Sequence, residues 1–216
     1  MPDFVRARSS EQKGLRMEEI KRAADQQFME KPYHEITLTT IAEKLSWSRA
    51  NLYKYVTTKE EIFLELSADK WNAYFAALRA AFPAECAYSA EVFAEVWTGI
   101  LSAHMDYLRY SSILIAIIET NVTVERLAIF KKSYHDQADE ISERFGSILH
   151  ITPEEAYEIF LAVHYHAVGM SGYCVVNPLV KQALDLAGVK LQKIDFRKVM
   201  KTFIEMNLSY YMKDKT

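Results

Sequence analysis

The sequence has few of the residues that interrupt helices, with 5 prolines and 6 glycines among 216 residues. It also lacks runs of alternating β-branched and polar residues, the pattern of a half-buried strand. Its apolar residues recur instead three and four positions apart, which places them on one face of a helix. Because 50% of the chain is hydrophobic, it can bury a sizeable core. The sequence therefore predicts an all-α protein.

Cysteines and long apolar runs are scarce, and an export signal is missing. Cys86 and Cys174 lie too far apart in sequence for a paired zinc motif, and so few cysteines favour a reducing compartment with both thiols free. The N-terminus lacks the apolar segment of a signal peptide, and the longest apolar run, residues 113–118, is too short to cross a bilayer. We expect a cytoplasmic protein without a membrane partner.

Residues 37–62 contain the most informative pattern, two short helices followed by the start of a longer one. Thr37 is a residue type that caps helices, and so is Ser48, which follows a break in the apolar spacing. Thr58 and Glu61 have the spacing of a capping box, which predicts the start of the longer helix. Two short helices joined by a tight turn indicate a helix-turn-helix, whose second helix can enter the major groove of DNA.

The charge distribution supports a DNA-binding role for this end of the chain. Residues 1–60 hold 11 lysines and arginines against 9 acidic residues, whereas the remainder holds 15 against 20. Residues 46–59 contain Arg49, Lys54 and Lys59 and no acidic residue. Phosphate binding requires a locally basic surface, so a net charge of −3 does not exclude it. The alternative is an ordinary helical hairpin with a solvated basic face.

Three motifs in register make residues 20–62 similar to the TetR-type transcriptional regulators. They read I-x-x-A-A-x-x-x-F from Ile20, T-x-x-x-I-A from Thr37, and S-x-x-x-L-Y-x-Y-V-x-x-K-E-E-I from Ser48. The resemblance covers the N-terminal quarter of the chain. It implies a ligand-responsive repressor that binds a palindromic operator in double-stranded DNA as a homodimer. The rest of the chain diverges within such families, so no motif carries over there.

Three residues depart from the family's pattern. Ser46 and Trp47 replace the usual glycine and small aliphatic residue of the turn, and Pro32 replaces a glycine after the first helix. A left-handed backbone at Ser46 costs roughly 1–2 kcal/mol relative to glycine. Trp47 requires different packing between the short helices, and Pro32 requires the first helix to end without a positive φ. None of the three removes a side chain that is expected to contact DNA.

The second short helix and its flanks supply the predicted DNA contacts. Asparagine can read adenine and arginine can read guanine through paired hydrogen bonds. We expect the groove to be faced by Arg49, Ala50, Asn51 and Lys54, next to the capping residue Ser48. We expect phosphate contacts from Thr37, Tyr53, Tyr55 and Lys59. Lys59 also lies at a helix N-terminus, which favours anions.

The predicted organisation is a three-helix DNA-binding domain, residues 1–58, and a helical ligand-binding and dimerisation domain, residues 59–216, with about nine helices in all. We expect a loose N-terminal arm, a first helix from about residue 10, and a fourth helix from residue 59 to about 81 that links both domains. Capping residues predict three later helix starts, at Ser89, Thr152 and Asp195.

The last helix is apolar over more than half of its circumference, more than the surface helix of one domain needs. Phe203 lies mid-helix, with Val199 and Met206 a turn away. The preceding helix contains Gly169 and Gly172, which permit close helix approach. As in the family, we expect the last two helices of each chain to form a four-helix homodimer interface. The alternative is an internal helix of a large monomer.

Polar and aromatic residues in the apolar helices of the body are candidates for an effector site, because pockets between helices are mostly apolar with a few polar anchors. They are Trp97, His104, Tyr107, Glu119, Asn121, His164 and Tyr165, together with Tyr157 and Met170. Glu119 stands out because a carboxylate after a buried apolar run needs a partner. The alternative is a local cap or salt bridge for Glu119 and a core position for the others.

The motifs of several enzyme classes are missing. No glutamate stands three residues before a histidine, and H-E-x-x-H, G-x-S-x-G and glycine-rich phosphate loops are absent. His164 and His166 lie on different sides of a helix and cannot chelate one ion together. We therefore expect no enzyme activity, cofactor or metal. The alternative is a helical-bundle enzyme or metal-binding protein with a DNA-binding-like appendage.

Overall fold

The computed structural model describes residues 2–83, 86–174, 178–190 and 192–212, with side chains from residue 11 onward. Every regular element in this part of the chain is helical, which confirms the all-α prediction. Its ten α-helices are α1 (Pro2–Glu30), α2 (Leu38–Lys44), α3 (Arg49–Leu52), α4 (Lys59–Ala81), α5 (Ala90–Ala103), α6 (Met105–Ile113), α7 (Val124–Leu149), α8 (Pro153–Cys174), α9 (Pro178–Leu186) and α10 (Phe196–Met212). Shorter helical turns are Tyr33–Glu35, Leu114–Ile118 and Glu119–Asn121.

The helices form two compact units. The first comprises Met1–Asp69 and Ile113–Ala128, and the second comprises Lys70–Ser112 and Ile129–Thr216. Helices α4 and α7 each contribute residues to both units. The first unit is therefore larger than residues 1–58, and the domain boundary at residue 58 stays a prediction.

The first unit has a small core of its own. Ile20 and Phe28 of α1 are buried. The ring of Phe28 packs edge-on against Phe63 of α4, with 5.3 Å between ring centres. The buried amide of Gln27 donates to the backbone carbonyl of Thr40 at 2.9 Å. This hydrogen bond satisfies a buried polar group and joins α1 to α2.

Helix α1 begins at Pro2, so the prediction of a loose arm before residue 10 is wrong. Arginine and alanine are strong helix formers and extend the helix toward the N-terminus. The helix ends at Glu30 without a positive φ, because Pro32, with φ −61° and ψ 148°, turns the chain into the short helical turn that follows.

The turn between α2 and α3 contains a residue with left-handed backbone, at the position where Ser46 replaces the family's glycine. Ser46 has φ 55°, and the N–H of Trp47 donates to the carbonyl of Ala42 at 2.9 Å. The indole of Trp47 lies 5.8 Å from the ring of Tyr55, and the guanidinium of Arg16 lies 5.4 Å from its centre. The larger side chain at residue 47 is thus accommodated by contacts with an aromatic and a cationic group.

The three later helix starts are confirmed by capping contacts. The hydroxyl of Ser89 and the carboxylate of Asp195 each accept a hydrogen bond from the backbone N–H three residues on, at 3.3 and 3.2 Å. Thr152 and Glu155 exchange two such bonds, at 3.2 and 2.7 Å, and form a complete capping box.

Helix α10 packs against α5 and α8 in the second unit. Glu95 of α5 pairs with Arg197 at 2.9 Å and with Lys201 at 3.1 Å, and these two cations lower the pKa of its carboxyl. The inner face of α10 consists of Met200, Ile204 and Leu208, which are fully buried. Only part of the apolar circumference of α10 is used inside the chain.

Candidate nucleic-acid interface and effector site

Residues 48–56, the reading segment, consist of the cap of α3, the helix itself and the turn after it. The hydroxyl of Ser48 accepts a hydrogen bond from the N–H of Asn51 at 3.2 Å. Leu52 is fully buried and anchors the segment. Beyond α3, the N–H of Val56 still donates to the carbonyl of Leu52 at 3.3 Å. The cap, the anchor and the continued hydrogen bonds hold the backbone of the segment in a helical shape.

The outer face of the reading segment carries the side chains predicted to face the DNA groove. Arg49, Ala50 and Lys54 are exposed, and Asn51 is half-buried. Tyr53 is 46% exposed. Because residues 46–59 contain no acidic residue, this face is basic. Its contacts with DNA stay a prediction.

Two of the predicted phosphate contacts also have structural partners. Thr37 and Thr40 cap α2 reciprocally, since each hydroxyl accepts from the other residue's N–H at 3.1 Å. Thr37 remains exposed beyond this contact. Tyr55 is half-buried beside Trp47.

The ammonium group of Lys59 has partners within the first unit. It donates to the carbonyls of Tyr33 and Ile36 at 3.0 and 2.7 Å, and lies 3.9 Å from the centre of the Tyr33 ring. Burial lowers the pKa of Lys59, opposed by the nearby carboxylate of Glu60. In this arrangement the side chain closes the turn before α2, and a phosphate contact through the ammonium stays a prediction.

Glu61 is a buried carboxylate at the start of α4, with an exposed fraction of 6%. The N–H and the hydroxyl of Thr57 donate to it at 3.1 and 2.6 Å. The predicted capping box is therefore half formed: the N–H of Glu61 donates to the hydroxyl of Thr58 at 3.2 Å, but the carboxylate binds Thr57 instead. The guanidinium of Arg126 lies 3.7 Å from the same carboxylate. Sequence reasoning missed Arg126 because no local pattern connects it to Glu61.

Three of the predicted effector-site residues meet in the core of the second unit. The indole N–H of Trp97 donates to the hydroxyl of Tyr74 at 2.7 Å. The ring of Tyr74 stacks on Tyr107 with 4.4 Å between centres, and the hydroxyl of Tyr107 lies 2.8 Å from Nδ1 of His164. Tyr74 of α4 joins them, and it was not among the predicted effector-site residues.

Burial keeps this cluster electrically neutral. It lowers the pKa of His164 to about 4 and raises the pKa of Tyr107 well above its usual value. At neutral pH both groups are uncharged and share a hydrogen bond, whose direction is set by the tautomer of the imidazole. The cluster therefore offers neutral hydrogen-bonding groups among stacked aromatic rings.

The structure distributes the other predicted effector-site residues more widely. His104 ends α5, is half-buried, and lies 5.9 Å from the ring of Tyr74; burial lowers its pKa. Tyr165 is 54% exposed. Glu119 and Asn121 belong to the first unit, where the amide of Asn121 donates to the carbonyl of Ile117 at 2.7 Å. Tyr157 and Met170 are half-buried on α8.

The outer faces of α8 and α10 border an open groove of about 320 Å³. The imidazole of His166 stacks on the ring of Phe203 with 3.9 Å between centres. The groove is lined by His166, Lys198, Val199, Thr202, Phe203 and Met206. At Gly169 and Gly172 of α8, an added Cβ atom would meet nothing within 4 Å. These features leave the predicted dimer surface accessible in the single chain.

The described residues contain neither a group that could hold a metal ion nor a single helix that could cross a membrane. No group of three histidine, cysteine or acidic side chains there has the arrangement to hold a metal ion. No single described helix is long and apolar enough to cross a membrane; α8 and α9 reach that length and composition only together, across a bend.

Comparisons with known proteins agree with this architecture. Residues 20–66 match the family described as "Bacterial regulatory proteins, tetR family", and residues 68–209 match "Tetracyclin repressor-like, C-terminal domain". The crystal structure of a bacterial regulatory protein in the tetR family from Rhodococcus RHA1 is similar, with a TM-score of 0.60 and 20% identity over 90% of this chain and 96% of that chain. A comparison with curated protein sequences finds no match.

The two family matches meet near residue 67 and cover both the helix-turn-helix and the helices of the second unit. The solved structure shares the fold along nearly the whole length of both chains. With an exposed, acid-free reading segment in the place where the first family match lies, the chain belongs to the TetR family of transcriptional regulators.

Proposed function

We propose that this protein is a repressor that binds a palindromic operator as a homodimer and is released by a small-molecule effector. The observation that carries the proposal is the reading segment, where Arg49 and Lys54 are exposed on a helical backbone without a neighbouring acidic residue. A basic face that also presents the amide of Asn51 can combine phosphate attraction with base reading.

The outer face of α10 supports the homodimer. Met206 and Tyr210 are 62% and 73% exposed, and Phe203 borders the open groove. Exposed apolar side chains grouped on one helix are typical of a protein interface. The small residues Gly169 and Gly172 would allow the partner's helices to approach α8 closely. A two-fold pair would place two reading segments at half-sites about one helical turn, ~34–36 Å, apart.

The neutral aromatic cluster supports an effector site in the second unit. Trp97, Tyr74, Tyr107 and His164 supply hydrogen-bonding groups with no formal charge at neutral pH. Such side chains would suit a flat, largely apolar molecule with neutral polar groups. Binding could release the operator only if the effector had different affinities for the DNA-bound and free conformations.

Selection from random double-stranded DNA tests the proposal. The full-length protein should enrich an inverted repeat, and Arg49→Ala should weaken binding to it by about 1–3 kcal/mol while altering the preferred base at one position in each half-site. Lys132→Ala is the matched control, because Lys132 is an exposed cation of α7 in the second unit. Failure of the native chain to enrich any sequence, or enrichment of a single half-site by a monomer, would contradict the proposal.

A further inference from the structure

The carboxylate of Glu61 has both of its oxygens engaged at the exit of the reading segment. Oε1 accepts from the hydroxyl of Thr57 at 2.6 Å, and Oε2 accepts from the N–H of Thr57 at 3.1 Å. Thr57 is the residue directly after the reading segment. A buried carboxylate that keeps its charge needs a cation or several donors. The cation within 4 Å of Glu61, among the described residues, is Arg126.

Arg126 stands where a cation is locally unfavourable. It lies in the first turn of α7, and its backbone N–H donates to the hydroxyl of Thr123 at 3.4 Å. A helix N-terminus carries partial positive charge, which disfavours arginine there. The compensation comes from α4, whose Glu61 and Glu65 lie 3.7 and 3.6 Å from the guanidinium. The position of Arg126 is therefore explained by its partners on α4 and not by α7.

We propose that Arg126 is a positioning residue for DNA reading, which acts through Glu61 and Thr57. Arg126 neutralises the buried carboxylate, the carboxylate holds the backbone and hydroxyl of Thr57, and this fixes the end of the reading segment. The inference rests on the proposed DNA-binding function and adds to it a residue that does not touch DNA. The side chains predicted to read bases lie on the segment whose end is held in this way.

Two helices that extend into the second unit carry the residues that hold the end of the reading segment. Helix α4 carries Glu61 and continues into the second unit, and α7 carries Arg126 and continues there too. A displacement of α7 would withdraw the guanidinium from Glu61 even if α4 stayed in place. Arg126 is thus a point at which a displacement of α7 would reach the reading segment through Glu61, without a displacement of α4 itself.

The test compares specific with non-specific DNA binding in the full-length protein. With the operator obtained by selection, Arg126→Gln should lower operator affinity on the order of tenfold, whereas affinity for unrelated duplex DNA should change less than about twofold. Arg126→Lys keeps the charge and should recover part of the loss. Glu65→Gln is the matched control, because it removes the exposed partner of Arg126 and leaves Glu61 paired.

A double variant separates positioning from a general loss of structure. In Arg126→Gln the carboxylate of Glu61 is buried without a counter-charge, but in Glu61→Gln/Arg126→Gln the amide oxygen still accepts from Thr57 and no charge remains. The double variant should therefore bind the operator more tightly than Arg126→Gln alone. Equal or additive losses, or an Arg126→Gln variant whose operator affinity stays within twofold of the native chain, would overturn the proposal.

Hydrogen exchange at the N–H of Thr57 tests the positioning role of Arg126 separately from the proposed DNA-binding function. Slow exchange in the native chain and at least tenfold faster exchange in Arg126→Gln are expected whether or not an operator is found. If the native chain selects no DNA and this exchange difference is present, the proposed function is wrong and the Arg126–Glu61–Thr57 contact stands. If the exchange rates are equal, the positioning role is wrong.

Discussion

The two units bury polar groups of different character. In the first unit the buried polar groups include ions: the ammonium of Lys21 pairs with Glu18 and Asp69, each at 2.6 Å, and Glu61 faces an arginine. The half-buried ammonium of Lys59 donates to two carbonyls. In the second unit the described buried polar groups are neutral, and they include one indole, two phenols and an imidazole in the aromatic cluster.

This difference matches the task that each unit would perform. A buried charge requires partners at fixed positions, because losing one leaves a large desolvation penalty. Ionic pairs therefore suit a segment whose geometry must match the spacing of DNA. Neutral aromatic groups lose less when a hydrogen-bond partner is replaced, since an entering ligand can supply another. They suit a site that exchanges internal contacts for contacts with an effector.

The largest expected effect comes from placing a carboxylate among the apolar residues on the outer face of α10. Phe203→Glu should dissociate the homodimer, because an unpaired carboxylate in an apolar seam is costly. Operator affinity should then fall by roughly 10³-fold or more, toward non-specific binding. Sedimentation at micromolar concentration and operator titration measure both effects.

The matched control is Val92→Glu, since Val92 is 45% exposed on α5 and is not one of the residues that line the groove. That variant should remain dimeric with unchanged operator affinity. A folded Phe203→Glu dimer would place the interface elsewhere.

The next effect comes from removing an ion from the first unit. Lys59→Ala leaves the carbonyls of Tyr33 and Ile36 without their donor, and should lower the free energy of unfolding by about 3 kcal/mol. Lys54→Ala removes an exposed cation and should change it by less than about 0.5 kcal/mol. Denaturant titration of both variants checks this. Equal stability of the two variants would show that Lys59 is free to serve DNA alone.

Acid should introduce a charge into the second unit through His164. Its pKa is about 4 in the folded chain and near 6.5 when unfolded, so the unfolded chain binds more protons between these values. Stability should therefore fall as the pH decreases through this window, by about 2 kcal/mol between pH 7 and pH 5. The His164 contribution is the difference between the pH profiles of the native chain and His164→Gln. Parallel profiles would show that the imidazole titrates normally.

The smallest expected effect comes from removing the neutral amide of Asn51 in the first unit. Asn51→Ala should relax base preference at one operator position by about 1–2 kcal/mol and leave the salt dependence of binding unchanged, because no charge is removed. Selection from random DNA measures the preference, and a salt titration measures the slope. A reduced slope with intact preference would assign Asn51 to phosphate contact.

Features that depend on residues close together in the sequence were predicted better than features that depend on distant residues. The helix starts at Thr37, Ser48 and Thr152 were predictable because a cap and its partner lie within three residues of each other. The sequence predicted about nine helices where the described residues form ten, and it did not predict the extension of α1 to Pro2, since weak local signals left the boundaries open.

The candidate sites show the same dependence on range. The exposure of Arg49 and Lys54 was predictable from the local sequence of the reading segment, and their contacts with DNA stay a prediction. The inward partners of Lys59, the pairing of Arg126 with Glu61 and the participation of Tyr74 in the aromatic cluster depend on contacts between distant parts of the chain. No short-range pattern encodes such contacts, so they became visible only in the folded structure.

Helix α4 has 23 residues, and at 1.5 Å per residue it is about 34 Å long. If a helix of that length rotates by about 6° about one end, its other end moves by about 3.4 Å, which is the rise of one base pair along DNA. If the proposed DNA-binding role holds, Thr58 and the Glu61–Arg126 pair would fix the end of α4 at which such a tilt changes the register on DNA.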